Sequence, residues 1–249
     1  MGLSTTGGYT MDTVKIQKGN VKMIAHRGVS GLELENTCAA FVAAGNRSYF
    51  GIETDVHVTA DGEFIIIHDD STARVGTEAM TVEETDFAVL RGLQLKEKDG
   101  TLRCDLRLPK LEEYLSVCKR YEKEAVLELK NPMEREAVQG IVAECARVYG
   151  LEHVTFIAFC FQNLLYVKEF TPEAKAQYLL AEEIKQEHIQ KMVDNGIDLD
   201  THYKALSKEL IDELHGHGIV VNCWTVDDPE IAEKLVSWGV DQITSNILE

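Results

Sequence analysis

A chain of 249 residues with 45% apolar content is long enough for one large core and matches the usual length of a closed barrel of eight β/α units. Its 42 Asp and Glu outweigh 25 Lys and Arg and leave a net charge of -17, a field that repels nucleic acid and anionic membrane surfaces. Polyanionic partners are thereby excluded, whereas divalent cations are attracted, and an anionic substrate requires locally placed positive charge or a bound metal.

In chain order, the segment Met1-Gly2-Leu3-Ser4-Thr5-Thr6 lacks the apolar core of a signal peptide. No run approaches the roughly 20 apolar residues that span a bilayer. Gly2 with Thr6 matches the loose myristoylation pattern, but the pattern is short and the segment reads as a flexible leader rather than a lipidation site. From Val21 onward short β-type runs alternate with longer helical patterns, the signature of βα units around a parallel sheet. Strands are predicted at 21–25, 51–55, 125–128, 154–158, 176–180, 197–200, 219–223 and 242–244. Helices are predicted at 37–44, 133–149, 162–170, 182–195, 207–217 and 229–238. Eight strands with helices between them make a single (β/α)8 TIM barrel domain over residues 1–249.

Asp61-Gly62, between the runs 56–59 and 63–67, is a hairpin signal, so the second strand is expected to continue and turn back. Residues 69–108, rich in charge and Thr, are too long for a βα loop, which usually takes about 2–6 residues. They read as an insertion after the second strand, at the C-terminal face where active sites of this fold sit, and as a candidate lid or substrate collar. Six cysteines (Cys38, Cys104, Cys118, Cys145, Cys160, Cys223) form no CxxC pair or zinc-like spacing, and read as buried thiols of a soluble cytoplasmic enzyme.

Chemistry-bearing side chains collect at the predicted strand ends. His26-Arg27-Gly28 follows the first strand and places an imidazole and a guanidinium, suited to bidentate phosphate binding, at the barrel mouth. Glu35-Asn36-Thr37 reads as a helix start, with Asn36 or Thr37 as N-cap. Glu53 and Asp55, two apart on a strand, share a face, and Glu128 takes the equivalent end of the next barrel strand. Three carboxylates from adjacent strands suit a hard cation such as Mg2+ or Ca2+; strand-end charges paired to Lys or Arg fit the same spacing. His57 shares their face and reads as a satisfied rim residue. His68-Asp69 supplies a second imidazole, and two histidines near one phosphate make a general base and a general acid. Lys130 shares the face of Glu128 and can neutralise a phosphate oxygen or pair with a carboxylate. Trp224, after the seventh strand, reads as a pocket wall or a core residue.

Taken together, Ile24-Ala25-His26-Arg27-Gly28, Glu35-Asn36-Thr37, Glu53-Thr54-Asp55-Val56, Thr59-Ala60-Asp61-Gly62 and Ile67-His68-Asp69 resemble the ordered motif set of the glycerophosphodiester phosphodiesterases. Leu108-Pro109-Lys110-Leu111-Glu112-Glu113, Leu127-Glu128-Leu129-Lys130, Trp224-Thr225-Val226 and Gly239-Val240-Asp241 with Thr244-Ser245-Asn246 extend the likeness over about Val21 to Asn246. The resemblance implies that Glu53, Asp55 and Glu128 are metal ligands and that His26 and His68 are the acid/base pair. It likewise implies Arg27 and Lys130 as phosphate contacts and Trp224 as a pocket wall, with glycerol 3-phosphate and an alcohol as products. The sequence departs from the family at Asp70-Ser71-Thr72-Ala73-Arg74 and at Ala158, where the family usually has a serine. Both places bear on how the leaving group is read. The rival readings are a phospholipase D-type barrel acting on lysophospholipid or sphingolipid, and a non-catalytic phosphodiester-binding protein. The mostly polar insertion favours a small water-soluble substrate without stable membrane association, and binding alone does not need two proton-transfer groups.

Overall fold

The computed structural model describes residues 12–97 and 99–249, so Gly2 and Thr6 lie outside the described residues. The strands are β1 (Lys22–Ala25), β2 (Gly51–Val58), β3 (Phe64–Ile66), β4 (Leu95–Lys96), β5 (Leu102–Arg103), β6 (Glu124–Leu129), β7 (Val154–Ala158), β8 (Lys175–Leu180), β9 (Asp198–His202), β10 (Val221–Trp224) and β11 (Gln242–Ser245). The α-helices are α1 (Cys38–Gly45), α2 (Phe87–Gly92), α3 (Leu111–Tyr121), α4 (Arg135–Val148), α5 (Phe161–Phe170), α6 (Gln186–Asn195), α7 (Lys208–Gly216) and α8 (Pro229–Trp238).

Eight strands pair in parallel in the order β1, β2, β6, β7, β8, β9, β10, β11. Pairing of Lys22 with Gln242 and of Ile24 with Gly51 joins β1 to both neighbours and closes the ring. Such strands are buried on both faces, which is why they read as apolar runs rather than as alternating patterns. In β1, Met23 and Ala25 join the large core between barrel and helices, while Ile24 joins Val126, Ile157 and Leu179 inside the barrel. Trp224 packs on that inner layer. It is the last residue of β10 and not, as the sequence implied, the residue after the strand.

Local signals set the helix ends. Asp228 caps α8 by accepting the Glu230 amide hydrogen at 2.8 Å, Pro229 stands at the first turn, and Gly239 ends the helix in the left-handed region. Helix α3 was not among the predicted helices, although Leu111, Tyr114, Leu115 and Cys118 are buried at i, i+3, i+4 and i+7. Its N-terminus is closed by Glu113, which accepts the Lys110 amide hydrogen at 2.8 Å.

The expected hairpin is present: β3 pairs antiparallel with β2, Val56 against Ile66. Gly62 takes a positive φ of 80° in its turn. Beyond it, residues 69–108 carry α2 and the β4–β5 pair. Val75, Val82, Leu90, Leu95, Leu106 and Leu108 from this stretch bury themselves with Leu34, Ile65 and Ile67 in a second, separate core. All six cysteines are free; Cys118, Cys145 and Cys223 are buried as expected, but Cys104 is exposed. Among the described residues, no helix is long and apolar enough to cross a membrane.

Candidate active site

Alternation along β2 turns Glu53 and Asp55 to the same side, and parallel register sets Asp55 against Glu128 of β6. One oxygen from each of the three lies within 4.8 Å of the others, and all three residues are buried. Such crowding is costly without a cation. Burial, followed by the Asp55 charge, lifts Glu53 well above the usual carboxylate range and Glu128 to about 8. Burial also opposes the charge on Asp55, but Arg27 and Lys130 outweigh it and hold that carboxyl low. Lys130 Nζ lies 2.9 Å from Glu128 and 3.7 Å from Asp55 Oδ1. Asp55 Oδ1 is nevertheless buried without a hydrogen-bond partner. An orphaned oxygen among three converging carboxylates is the donor set of a hard divalent cation.

His26 is the first residue after β1, and its Nδ1 lies 2.8 Å from Asn246 Oδ1. The Asn246 amide is fixed because its Nδ2 donates to Asp227 Oδ2 at 2.6 Å, so its oxygen must face the imidazole. His26 therefore donates through Nδ1 and keeps the Nε2 lone pair bare, 4.0 Å from Glu53. Burial, then the neighbouring Arg27 charge, lowers its pKa to about 4. The other imidazole has a different partner: His68 Nδ1 lies 2.6 Å from Asp69, whose carboxylate also accepts from Arg74 Nε at 2.7 Å. Arg74, ahead of His68 itself, holds Asp69 far below the usual carboxylate range. Burial lowers His68 as well, with the Asp55 charge pulling the other way.

Arg27 has a positive φ of 53°, which brings its amide hydrogen to Glu53 at 2.8 Å, and its guanidinium donates to Glu35 at 2.8 Å. Gly28 follows with φ 76°, and a Cβ there would meet the Ala40 backbone at 2.7 Å, so the turn admits only glycine. The segment Glu35-Asn36-Thr37 is both a helix start and part of the site. Thr37 caps α1, Asn36 donates to Asp55 at 2.7 Å, and Glu35 joins Arg27 to Arg74. A cavity of about 150 Å³ gathers His26, Arg27, Glu53, His68, Glu128 and Trp224 around it; Asp55 and Lys130 lie against its Glu128 side. His57 stands apart, fully buried, and bonds Glu83 at 3.0 Å, in keeping with a satisfied rim residue.

The pattern that defines the Glycerophosphoryl diester phosphodiesterase family matches residues 26–248. The chain belongs to this family. As a glycerophosphodiester phosphodiesterase family member it is a phosphoric diester hydrolase. It is 26% identical over 226 residues to the glycerophosphodiester phosphodiesterase of Caldanaerobacter subterraneus subsp. tengcongensis, covering 90% of this chain and 93% of that one. A phosphodiesterase of Oleispira antarctica, solved in complex with the product sn-glycerol-3-phosphate, superposes with a TM-score of 0.86 at 25% identity, covering 93% of this chain and 95% of that one. A glycerophosphodiester phosphodiesterase of Parabacteroides distasonis superposes with a TM-score of 0.78 at 28% identity over 92% and 94% of the two chains.

The phosphodiesterase site also contains residues that the sequence reading passed over. Asn246 stood inside the quoted motif Thr244-Ser245-Asn246, but its role depends on Asp227, which no spacing rule connects to it. Arg74 lay in the segment that departs from the family. Asp200, the middle residue of β9, has one oxygen without a partner and lines the cavity; it closes the predicted strand 197–200 as Glu128 closes 125–128, and that position was its signal. Phe159, directly after β7, lines the cavity and is 47% exposed.

Proposed function

We propose that the chain hydrolyses glycerophosphodiesters to glycerol 3-phosphate and an alcohol, with Mg2+ or Ca2+ held by Glu53, Asp55 and Glu128, His26 as general base and His68 as general acid. The contrast between the two imidazole partners carries this reading. A base must begin neutral with a bare nitrogen, and a buried imidazole bonded to an amide oxygen beside a guanidinium meets that need. An acid must begin protonated, and the Asp69 carboxylate at 2.6 Å favours the imidazolium of His68 against the burial that lowers its pKa overall. The product named for the Oleispira antarctica relative supports the substrate class.

A divalent cation at the three carboxylates would supply Lewis-acid polarisation of a phosphoryl oxygen. Arg27 and Lys130 bind the equatorial oxygens and stabilise the charge that builds there. His26 Nε2 takes the proton of the nucleophile, water or the glycerol 2-hydroxyl, as its oxygen bonds to phosphorus. The bond to the leaving alcohol breaks, and His68 gives its proton to the departing alkoxide; where the 2-hydroxyl attacks, the product is a cyclic phosphate, which water then opens to glycerol 3-phosphate. A lysophospholipid substrate is less favoured because most large apolar side chains of residues 69–108 pack in their own core, and none of them lines the cavity. Six free thiols fit a reducing compartment, which we take to be the cytoplasm.

The test follows glycerol 3-phosphate release from a panel of glycerophosphodiesters, after chelation and after adding back Mg2+ or Ca2+. Release that depends on the added cation is expected. Absence of glycerol 3-phosphate from every ester, or full turnover in excess chelator with no metal retained, would overturn the reading.

A further inference from the structure

The cavity is asymmetric in charge. Glu53, Asp55 and Glu128 stand on β2 and β6, with Arg27 and Lys130 beside them. Strand β9 lies diametrically opposite β2 in the ring, and there the wall changes character. Phe159 comes from the end of β7 and Trp224 from the end of β10, so the two rings flank β8 and β9, which carry Leu179 and Asp200 into the cavity. Their centroids are 6.0 Å apart at an interplanar angle of 82°. His202 meets Trp224 at 5.5 Å and 87°, so Trp224 has an edge-on contact with each of two rings at this part of the mouth.

Asp200 is 2% exposed, and its Oδ1 has no hydrogen-bond partner. No Lys or Arg is paired with it among the described residues, unlike Asp55 and Glu128, which share Lys130. The polar neighbour of Asp200 is the neutral Asn222 amide, so the buried charge has no cation beside it and Oδ1 no donor, and both can come from a ligand. Aromatic rings beside it offer π faces to a positive charge, and a net charge of -17 draws cations toward the mouth. A phosphodiester bound at Arg27 and Lys130 shares its cavity with this wall, which is within reach of one of its two ends.

Building on the phosphodiesterase reading above, we infer that Asp200, Trp224 and Phe159 form a cation subsite that selects phosphodiesters whose leaving alcohol carries an ammonium group. The polarity of the cavity then mirrors that of a zwitterion, with anion binders on one wall and cation binders on the other. Burial and the Glu128 charge push the Asp200 carboxyl well above its usual range.

The test compares glycerophosphocholine with its neutral isostere, the glycerophosphodiester of 3,3-dimethylbutanol, in which carbon replaces the nitrogen. The wild-type chain with added Mg2+ should favour the cationic ester in kcat/KM by on the order of tenfold. Asp200→Asn and Phe159→Leu should each pull that ratio toward one, with folding checked by thermal unfolding. Phe159 is half exposed, so its variant carries the test if Asp200→Asn misfolds. Equal kcat/KM for the two esters in the wild type, or an undiminished ratio in the folded variants, would overturn the subsite. Hydrolysis of neither ester would overturn the phosphodiesterase reading itself.

Discussion

His68 Nδ1 and the Asp69 carboxylate lie 2.6 Å apart, whereas the corresponding nitrogen of His26 meets an amide oxygen. The difference gives a kinetic signature. His26→Ala and His68→Ala should each lower kcat by about 10²–10⁴-fold on an alkyl phosphodiester. A p-nitrophenolate leaves without a proton, so a p-nitrophenyl phosphodiester should largely rescue His68→Ala and not His26→Ala. Rescue of His26→Ala alone would reverse the two roles, and near-normal turnover in both variants would remove the histidines from the mechanism.

The tautomer of His26 can be read without any substrate. With Asp227 fixing the Asn246 amide, 15N spectra of histidine-labelled protein should show His26 protonated at Nδ1. Asn246→Leu removes the acceptor and should lower kcat by roughly tenfold or more while the fold melts cooperatively. A ring protonated at Nε2 in the unaltered chain would contradict the arrangement.

Metal removal should act on stability with a definite pH dependence. Glu128 is raised to about 8 in the metal-free fold, so between the unfolded carboxyl pKa, near 4.3, and that value the native state binds more protons than the unfolded one. The contribution of Glu128 to the stability of the chelated protein should therefore fall as pH rises through that window. Asp55 is shifted down, so its contribution is already complete above the unfolded carboxylate range and does not cancel this trend. A bound cation replaces the proton. The gain in Tm on adding Mg2+ should be larger at pH 8 than at pH 5; an equal or opposite gain would count against the three-carboxylate site. Glu128→Gln should raise the metal concentration needed for activity sharply.

Arg74 donates to Glu35 at 2.7 and 2.8 Å and to Asp69 at 2.7 and 3.0 Å, and these two carboxylates hold Arg27 and His68. Arg74→Lys keeps the charge but loses the fork. It should cost about tenfold in kcat/KM, with a smaller loss on a p-nitrophenyl ester if its main effect runs through His68. Unchanged kinetics on both esters would show that neither residue needs the clamp.

The barrel was legible because parallel strands buried on both faces leave apolar runs, and Glu53, Asp55 and Glu128 interrupt such runs at their ends. His26 and His68 were visible for the same reason, as polar residues directly after β1 and Ile67. Helix α3 was obscured because its first turn follows Pro109 at the close of a charged insertion, although its buried spacing is regular. The partners that define each imidazole were out of reach: Asn246, itself held by Asp227, meets His26 across 220 residues of chain. Arg74 gains meaning only once Glu35, 39 residues away, is folded against it.

The separate core beneath residues 69–108 has a consequence for heat inactivation. Nine buried side chains hold that subdomain, while the barrel is secured by a much larger cluster of its own. Such units open independently, and the smaller one opens first. Because Arg74 belongs to the smaller unit, its opening releases Asp69 and Glu35 and disarms both His68 and Arg27 while the strands remain paired. Catalytic half-life on warming is thus governed by this annex, and activity should vanish several degrees before the barrel melts.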